Sequence, residues 1–139
     1  MKIFIVIACL ACVVKATTMA EHKQMLMGIA QECKANEDAT DDDMGRLVEK
    51  KPPTTKEGKC LFACIMEQMD VIQDGKLSKE GFLEFASVII DGDAGKMKVA
   101  EELANECGAI RDDDRCELAY KAGGCVKMAG MKRNIDFGF

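Results

Sequence analysis

Lys59-Cys60-Leu61-Phe62-Ala63-Cys64-Ile65-Met66 is apolar on almost every side when wound as a helix. In a small soluble protein such a helix is buried all round, so other helices must enclose it. Cys60 and Cys64 stand one turn apart and face the same way, which lets two different partners be crosslinked to one side. Phe62, Met66 and Met69 lie on the opposite side, where they serve either as ordinary core or as the wall of a cavity.

Working upstream, Leu26, Ile29, Ala30 and Cys33 recur at helical spacing from Glu21 onward, and the pattern fades over residues 34–40. Thr40 can cap a short second helix whose Asp41, Asp42 and Asp43 suit the positive end of its dipole, with Pro52-Pro53 as the stop. Thr54 with Glu57 makes a capping-box pattern for the central helix over about 55–72, ended by Asp74-Gly75. Downstream, Ser78 caps a fourth helix with a polar stripe of Glu80, Glu84, Ser87 and Asp91 and a buried stripe of Phe82, Phe85, Ala86 and Ile89. A fifth helix over about 94–107 turns Met97, Ala100, Ala104 and Cys107 inward. A sixth, opened by Asp112, Asp113 and Asp114, runs to about 129. Gly123-Gly124 inside it costs about 1 kcal/mol per glycine relative to Ala, which points to close packing or a local break. The expected fold is therefore all-α, with six helices.

Met1-Lys2, the unbroken apolar run 3–14 and the small residues around Ala16 and Ala20 read as a secretory signal peptide, residues 1–20, ahead of one domain, 21–139. Cleavage after Ala16 fits as well as cleavage after Ala20. The run falls short of the roughly 20 residues a membrane-spanning helix needs, and no later stretch is apolar for as long, so no membrane span is expected. Cleavage after Ala20 removes Lys2, Lys15, Cys9 and Cys12, leaving 17 basic against 24 acidic side chains, a net charge of −7. The six remaining cysteines, Cys33, Cys60, Cys64, Cys107, Cys116 and Cys125, imply three disulfides in a secreted, extracellular protein, in preference to a Cys-only zinc site.

Composition narrows the function. An acidic chain without a concentrated basic face is a poor partner for nucleic acid, and 5% aromatics with no Trp supply no base-stacking platform. His22, the single histidine, leaves no Ser-His-Asp or Cys-His arrangement and no ordinary zinc site, so neither an enzyme nor a metal or cofactor is expected. Asp74-Gly75-Lys76-Leu77-Ser78 echoes a calcium loop, but a loop begun at Asp70 puts Ile72 at the third ligand position and Gly81 where the bidentate Glu belongs. Three disulfides at about 2 to 4 kcal/mol each rival the whole net stability of a typical domain. A chain stapled in this way tolerates an apolar hole at its centre, and its methionines would give that hole pliant walls.

The gaps between the six cysteines are twenty-six, three, forty-two, eight and eight residues. This spacing, over the whole of residues 21–139, resembles the six-cysteine branch of the insect odorant-binding proteins, which includes pheromone-binding and general odorant-binding members. The resemblance implies a disulfide-linked six-helix shell around an apolar ligand cavity, with pairing Cys33–Cys64, Cys60–Cys116 and Cys107–Cys125. It implies a carrier that takes small volatile or lipid-like molecules through aqueous lymph and performs no chemistry. The implied partners are a small hydrophobic ligand and an odorant receptor, with monomer and homodimer both open.

Positions the resemblance carries across as ligand-lining are Leu26, Phe62, Met66, Ala104 and Val126, joined by Met69 from the central helix's opposite side, by Phe82, Phe85 and Ile89 from the fourth helix's stripe, and by Ala122. Some relatives place a hydroxyl where this chain has Met66, so a less polar ligand head, or a hydrogen bond from elsewhere such as Tyr120, is expected. The tail Phe137-Gly138-Phe139 is expected to fold back as a wall or lid, the alternative being a frayed terminus. With His22 alone, a histidine-cluster switch is not expected, and any acid response falls to carboxylates or the chain terminus. The same scaffold also admits a secreted interaction or scavenging protein of a non-olfactory tissue.

Overall fold

The computed structural model describes residues 19–138. Residues 1–18, which hold most of the expected signal peptide, and Phe139 lie outside the described residues. Six helices follow in order: α1 (Met19–Asn36), α2 (Asp41–Val48), α3 (Lys56–Gln68), α4 (Lys79–Ile89), α5 (Ala94–Cys107) and α6 (Arg115–Lys132). Between α3 and α4 sits a small antiparallel hairpin, β1 (Ile72–Gln73) and β2 (Lys76–Leu77). No helix among the described residues is long and apolar enough to cross a membrane.

Polar side chains set the helix starts. Thr40 and Asp43 form a reciprocal capping box on α2, Ser78 caps α4 through the Gly81 amide, and Asp93 caps α5 through the Lys96 amide. Two expected starts shift. The cap of α3 is Thr55, which accepts from Gly58 N, in place of Thr54; that of α6 is Asp114, which accepts from Cys116 N and Glu117 N, so Asp112 and Asp113 precede the helix.

Helix ends share a different device. After α1, α2, α3, α4 and α6 the chain turns through a left-handed residue, respectively Asp38, Lys50, Asp70, Asp91 and Asn134. The amide that follows each one returns to a carbonyl five residues back, as in Ile135 N to Gly130 O at 2.9 Å. Four of the five are Asp or Asn, whose short polar side chains tolerate that conformation. Helix α3 accordingly stops at Gln68, short of the expected 72, because Asp70 has turned the chain. Asp74 and Gly75, both at positive φ, are then the two-residue tip of the hairpin and not a helix end.

The central helix is enclosed as its composition requires: Cys60, Leu61, Ala63, Cys64, Ile65 and Met66 are all buried. It packs against α1, α2, α6 and β1. The sulfurs pair as Cys33–Cys64, Cys60–Cys116 and Cys107–Cys125, so one side of α3 is tied to both α1 and α6, while α5 is tied to α6. Gly123 explains the glycine pair within an unbroken α6. A Cβ there would overlap the Phe62 ring, so the missing side chain is what lets α3 and α6 approach. Gly124, its neighbour, faces open space.

Asp43 couples α2 to α3. Its carboxylate, 4% exposed, accepts from Thr40 N at 2.9 Å and Thr40 Oγ1 at 3.0 Å, and from the Thr55 hydroxyl at 2.5 Å. Burial pushes its pKa up, but the hydrogen bonds from Thr55 and Thr40 outweigh this and leave it below the usual 3.8. Asp43→Ala should therefore destabilise the fold by about 2 to 3 kcal/mol, through loss of the reciprocal half of the α2 capping box and of the hydrogen bonds that Thr40 and Thr55 donate to a charged acceptor. A carboxylate with a depressed folded pKa contributes stability above its unfolded pKa and loses it as pH falls through the folded value. The gap between wild type and variant in urea unfolding should hold from neutral pH down to about pH 4 and narrow below it. A constant gap into that acid range would show that the charge contributes nothing.

Candidate functional site

The buried interior gathers much of the expected ligand-lining set. Met66, Phe82, Phe85, Ala104, Val126 and Phe137 are buried in one apolar cluster, with Phe62, Met69 and Ile89 packed against it. Ala122 is fully buried on α6, and Leu26 is half-buried on α1 apart from this cluster. Phe137 comes from the tail and sets its ring centroid 5.4 Å from that of Phe82. Near Phe85, at 6.1 Å between ring centroids, lies His22, 8% exposed, whose Nε2 has no hydrogen-bond partner among the described residues.

On the other side of Phe62 a half-open groove of about 540 Å³ runs between α2, the segment 49–55, the start of α3 and α6. Leu47, Pro52, Pro53, Phe62, Tyr120, Gly123, Gly124, Cys125 and Met128 line it with apolar surface and backbone. Arg46, Lys50, Lys51, Lys121 and Lys127 stand around it, and Asp43 contributes the one carboxylate of the lining. Tyr120 carries the Lys59 ammonium 4.4 Å above its ring. Met128, 64% exposed, is an open apolar edge.

Local sequence explains how these parts meet. Pro52-Pro53 holds an extended segment between α2 and α3, and Arg46 Nε donates to Pro52 O at 3.0 Å, drawing that segment over α2. From α6, Lys127 Nζ donates to Lys50 O at 2.5 Å, which closes the opposite wall. Gly124 leaves the floor low because it has no side chain where space is open.

Of the described residues expected from the sequence to line a site, the groove uses Phe62 alone. Arg46, Leu47, Lys50, Lys127 and Met128 were not expected there, since each reads in isolation as part of a solvated helix face. The signal that could have found the groove is the unexplained second glycine of the pair, Gly124, opposite a double proline. Tyr120, raised above as a hydrogen-bond source in place of a hydroxyl at position 66, lines the groove, whereas Met66 is buried in the interior cluster. Among the described residues no cluster of His, Cys, Asp or Glu is arranged to hold a metal ion.

Comparison with known proteins gives a consistent picture. The pattern of the PBP/GOBP family matches residues 15–129. General odorant-binding protein 28a of Drosophila melanogaster is 35% identical over 127 residues, which span 90% of this chain and 89% of that protein. The solved structure of odorant-binding protein dmelOBP28a from the same fly superposes with a TM-score of 0.75 at 36% identity, covering 84% of this chain and 98% of that one. A fatty acid binding protein, OBP56a, from the oral disk of the blowfly Phormia regina shares the fold, with a TM-score of 0.70 at 23% identity over 81% of this chain and 94% of that one. With six helices, three disulfides and a family match across most of its length, this chain belongs to the PBP/GOBP family of odorant-binding proteins.

Proposed function

We propose that this protein is a secreted, non-enzymatic carrier that takes up small hydrophobic molecules and delivers them through extracellular fluid to a receptor. The observation that carries the reading is the groove: about 540 Å³ of space lined by Leu47, Phe62 and Met128. That volume falls within the roughly 300 to 1,000 Å³ of small-molecule sites. Family membership supports the same reading, as does the fatty acid binding named for the blowfly relative. Phe62 lines the groove and packs against the interior cluster, so a ligand longer than the groove would have to displace its ring to reach Met66, Met69, Phe82, Phe85, Ile89, Ala104 and Val126.

Titration with N-phenyl-1-naphthylamine, a neutral probe that fluoresces in apolar surroundings, tests this. Saturable binding is expected, with displacement by volatile alcohols. Gly124→Leu should raise the probe's dissociation constant by roughly tenfold or more, because the new side chain occupies the groove. The same change should leave thermal stability equal or higher, since it removes a helix-interior glycine worth about 1 kcal/mol. Absence of saturable binding would overturn the carrier reading.

A further inference from the structure

The charges at the groove do not follow those of the chain. Residues 21–139 carry 17 basic and 24 acidic side chains, yet five cations and one carboxylate line the groove. Three of the cations have a carboxylate partner: Lys50 with Asp136 at 2.9 Å, Lys51 with Glu49 at 2.7 Å and Lys121 with Asp112 at 2.5 Å. Arg46 and Lys127 do not form an ion pair among the described residues. Each is held instead by a backbone carbonyl, Pro52 O for Arg46 and Lys50 O for Lys127, which fixes the head in place without neutralising it. The carboxylates that feel these two cations have closer partners: Asp43 accepts from Thr40 and Thr55, Glu49 pairs with Lys51 and Asp136 pairs with Lys50.

Two positioned cations tethered to carbonyls two residues apart, at the mouth of an apolar groove, suit one chemistry. We propose that the groove's ligand is a small amphipathic anion, an aliphatic carboxylate whose head sits between Arg46 and Lys127 and whose chain lies on Leu47, Phe62 and Met128. This rests on the groove being the ligand site. The guanidinium keeps free N–H groups beyond the one spent on Pro52, and these match the two oxygens of a carboxylate. Lys127 adds a second positive charge from the facing helix.

Calorimetric titration of the purified protein with decanoate and with decan-1-ol, which share chain length and differ in the head, tests the proposal. Decanoate should bind roughly tenfold tighter or more, and its advantage should shrink at high salt because the head lies at a solvated mouth. The double variant Arg46→Gln/Lys127→Gln, which also cuts the tethers to Pro52 O and Lys50 O, should weaken both ligands but weaken decanoate roughly tenfold more than decan-1-ol, so that the acid's advantage disappears. Lys98→Gln on α5, outside the groove, should change neither. Equal affinity for acid and alcohol, or a preference for the acid that survives the double variant, overturns the proposal. Gly124→Leu separates the two levels. If it weakens both ligands while acid and alcohol bind the wild type equally, the groove reading stands and the head assignment falls; if it weakens neither, the groove is not the site and both fall.

Discussion

Reduction of the three disulfides is expected to unfold this protein at physiological temperature, the largest effect any single treatment should have on it. The bridges close segments with sequence separations of 31, 56 and 18 residues. By loop-closure entropy the longest is worth about 4 kcal/mol and the shortest about 3. Their combined effect, on the order of 10 kcal/mol, matches the entire net stability of about 5 to 15 kcal/mol usual for a domain. The interior is mainly aliphatic: among the described residues its buried phenylalanine rings are Phe82, Phe85 and Phe137, and there is no Trp anywhere in the chain. The pair Cys60→Ala/Cys116→Ala, which unties the start of α3 from the start of α6, should alone cost about 4 kcal/mol. Urea unfolding followed by far-ultraviolet circular dichroism, with and without reductant, measures both. A midpoint unmoved by reductant would mean that helix packing holds the shell and that the bridges are dispensable.

The interior of this fold was more legible in the sequence than its groove, for physical reasons. Burial of α3 follows from residues 60–66 alone, because a helix apolar on all faces has no solvated orientation, and the stripes of α4 assign Phe82, Phe85 and Ala86 inward in the same way. Caps at Thr40 and Ser78 are local and were readable, whereas Thr54 and Thr55 are equivalent by composition and only the hydrogen bond to Gly58 N distinguishes them. Asp74-Gly75 serves a helix end and a hairpin tip equally well, and the decision came from Asp70, which had already turned the chain. The groove combines faces from positions 43 to 128 that share no periodicity. Its cations, seen one at a time, have the pattern of any solvated helix.

Removal of residues 134–139 is expected to cost about 4 to 5 kcal/mol and to weaken ligand binding as well, and the two effects have separate causes. Ile135 and Phe137 are 7% and 3% exposed, so the tail is part of the packed interior and not a frayed end. Room for it exists because residue 130 is glycine: a Cβ there would stand 3.1 Å from the Phe137 ring and 2.8 Å from Ile135 O. Phe137→Ala should account for about 3 to 4 kcal/mol of the loss, the range for a buried ring. The effect on binding runs through Asp136, which pairs with Lys50 at 2.9 Å and accepts from Gly138 N at 2.8 Å. Lys50 lines the groove and its carbonyl positions Lys127, so releasing Asp136 loosens the wall on which a ligand rests. Asp136→Asn isolates this step. The pair is exposed and worth about 0 to 1 kcal/mol, so stability should barely change, while the dissociation constant for decan-1-ol, a neutral ligand that does not respond to the freed Lys50 charge, should rise about threefold. Lys50, and then the Gly138 amide, hold the Asp136 carboxyl below its usual 3.8, so the clamp is intact above about pH 4 and opens only as pH falls beneath that. Binding of decan-1-ol, whose head does not titrate, should accordingly be flat from about pH 5 to 8 and weaken in stronger acid in the wild type, with no such acid step from this group in Asp136→Asn. Unchanged affinity in both the truncated protein and Asp136→Asn, measured well below their unfolding temperatures, would reduce the tail to a structural plug and end its role at the groove.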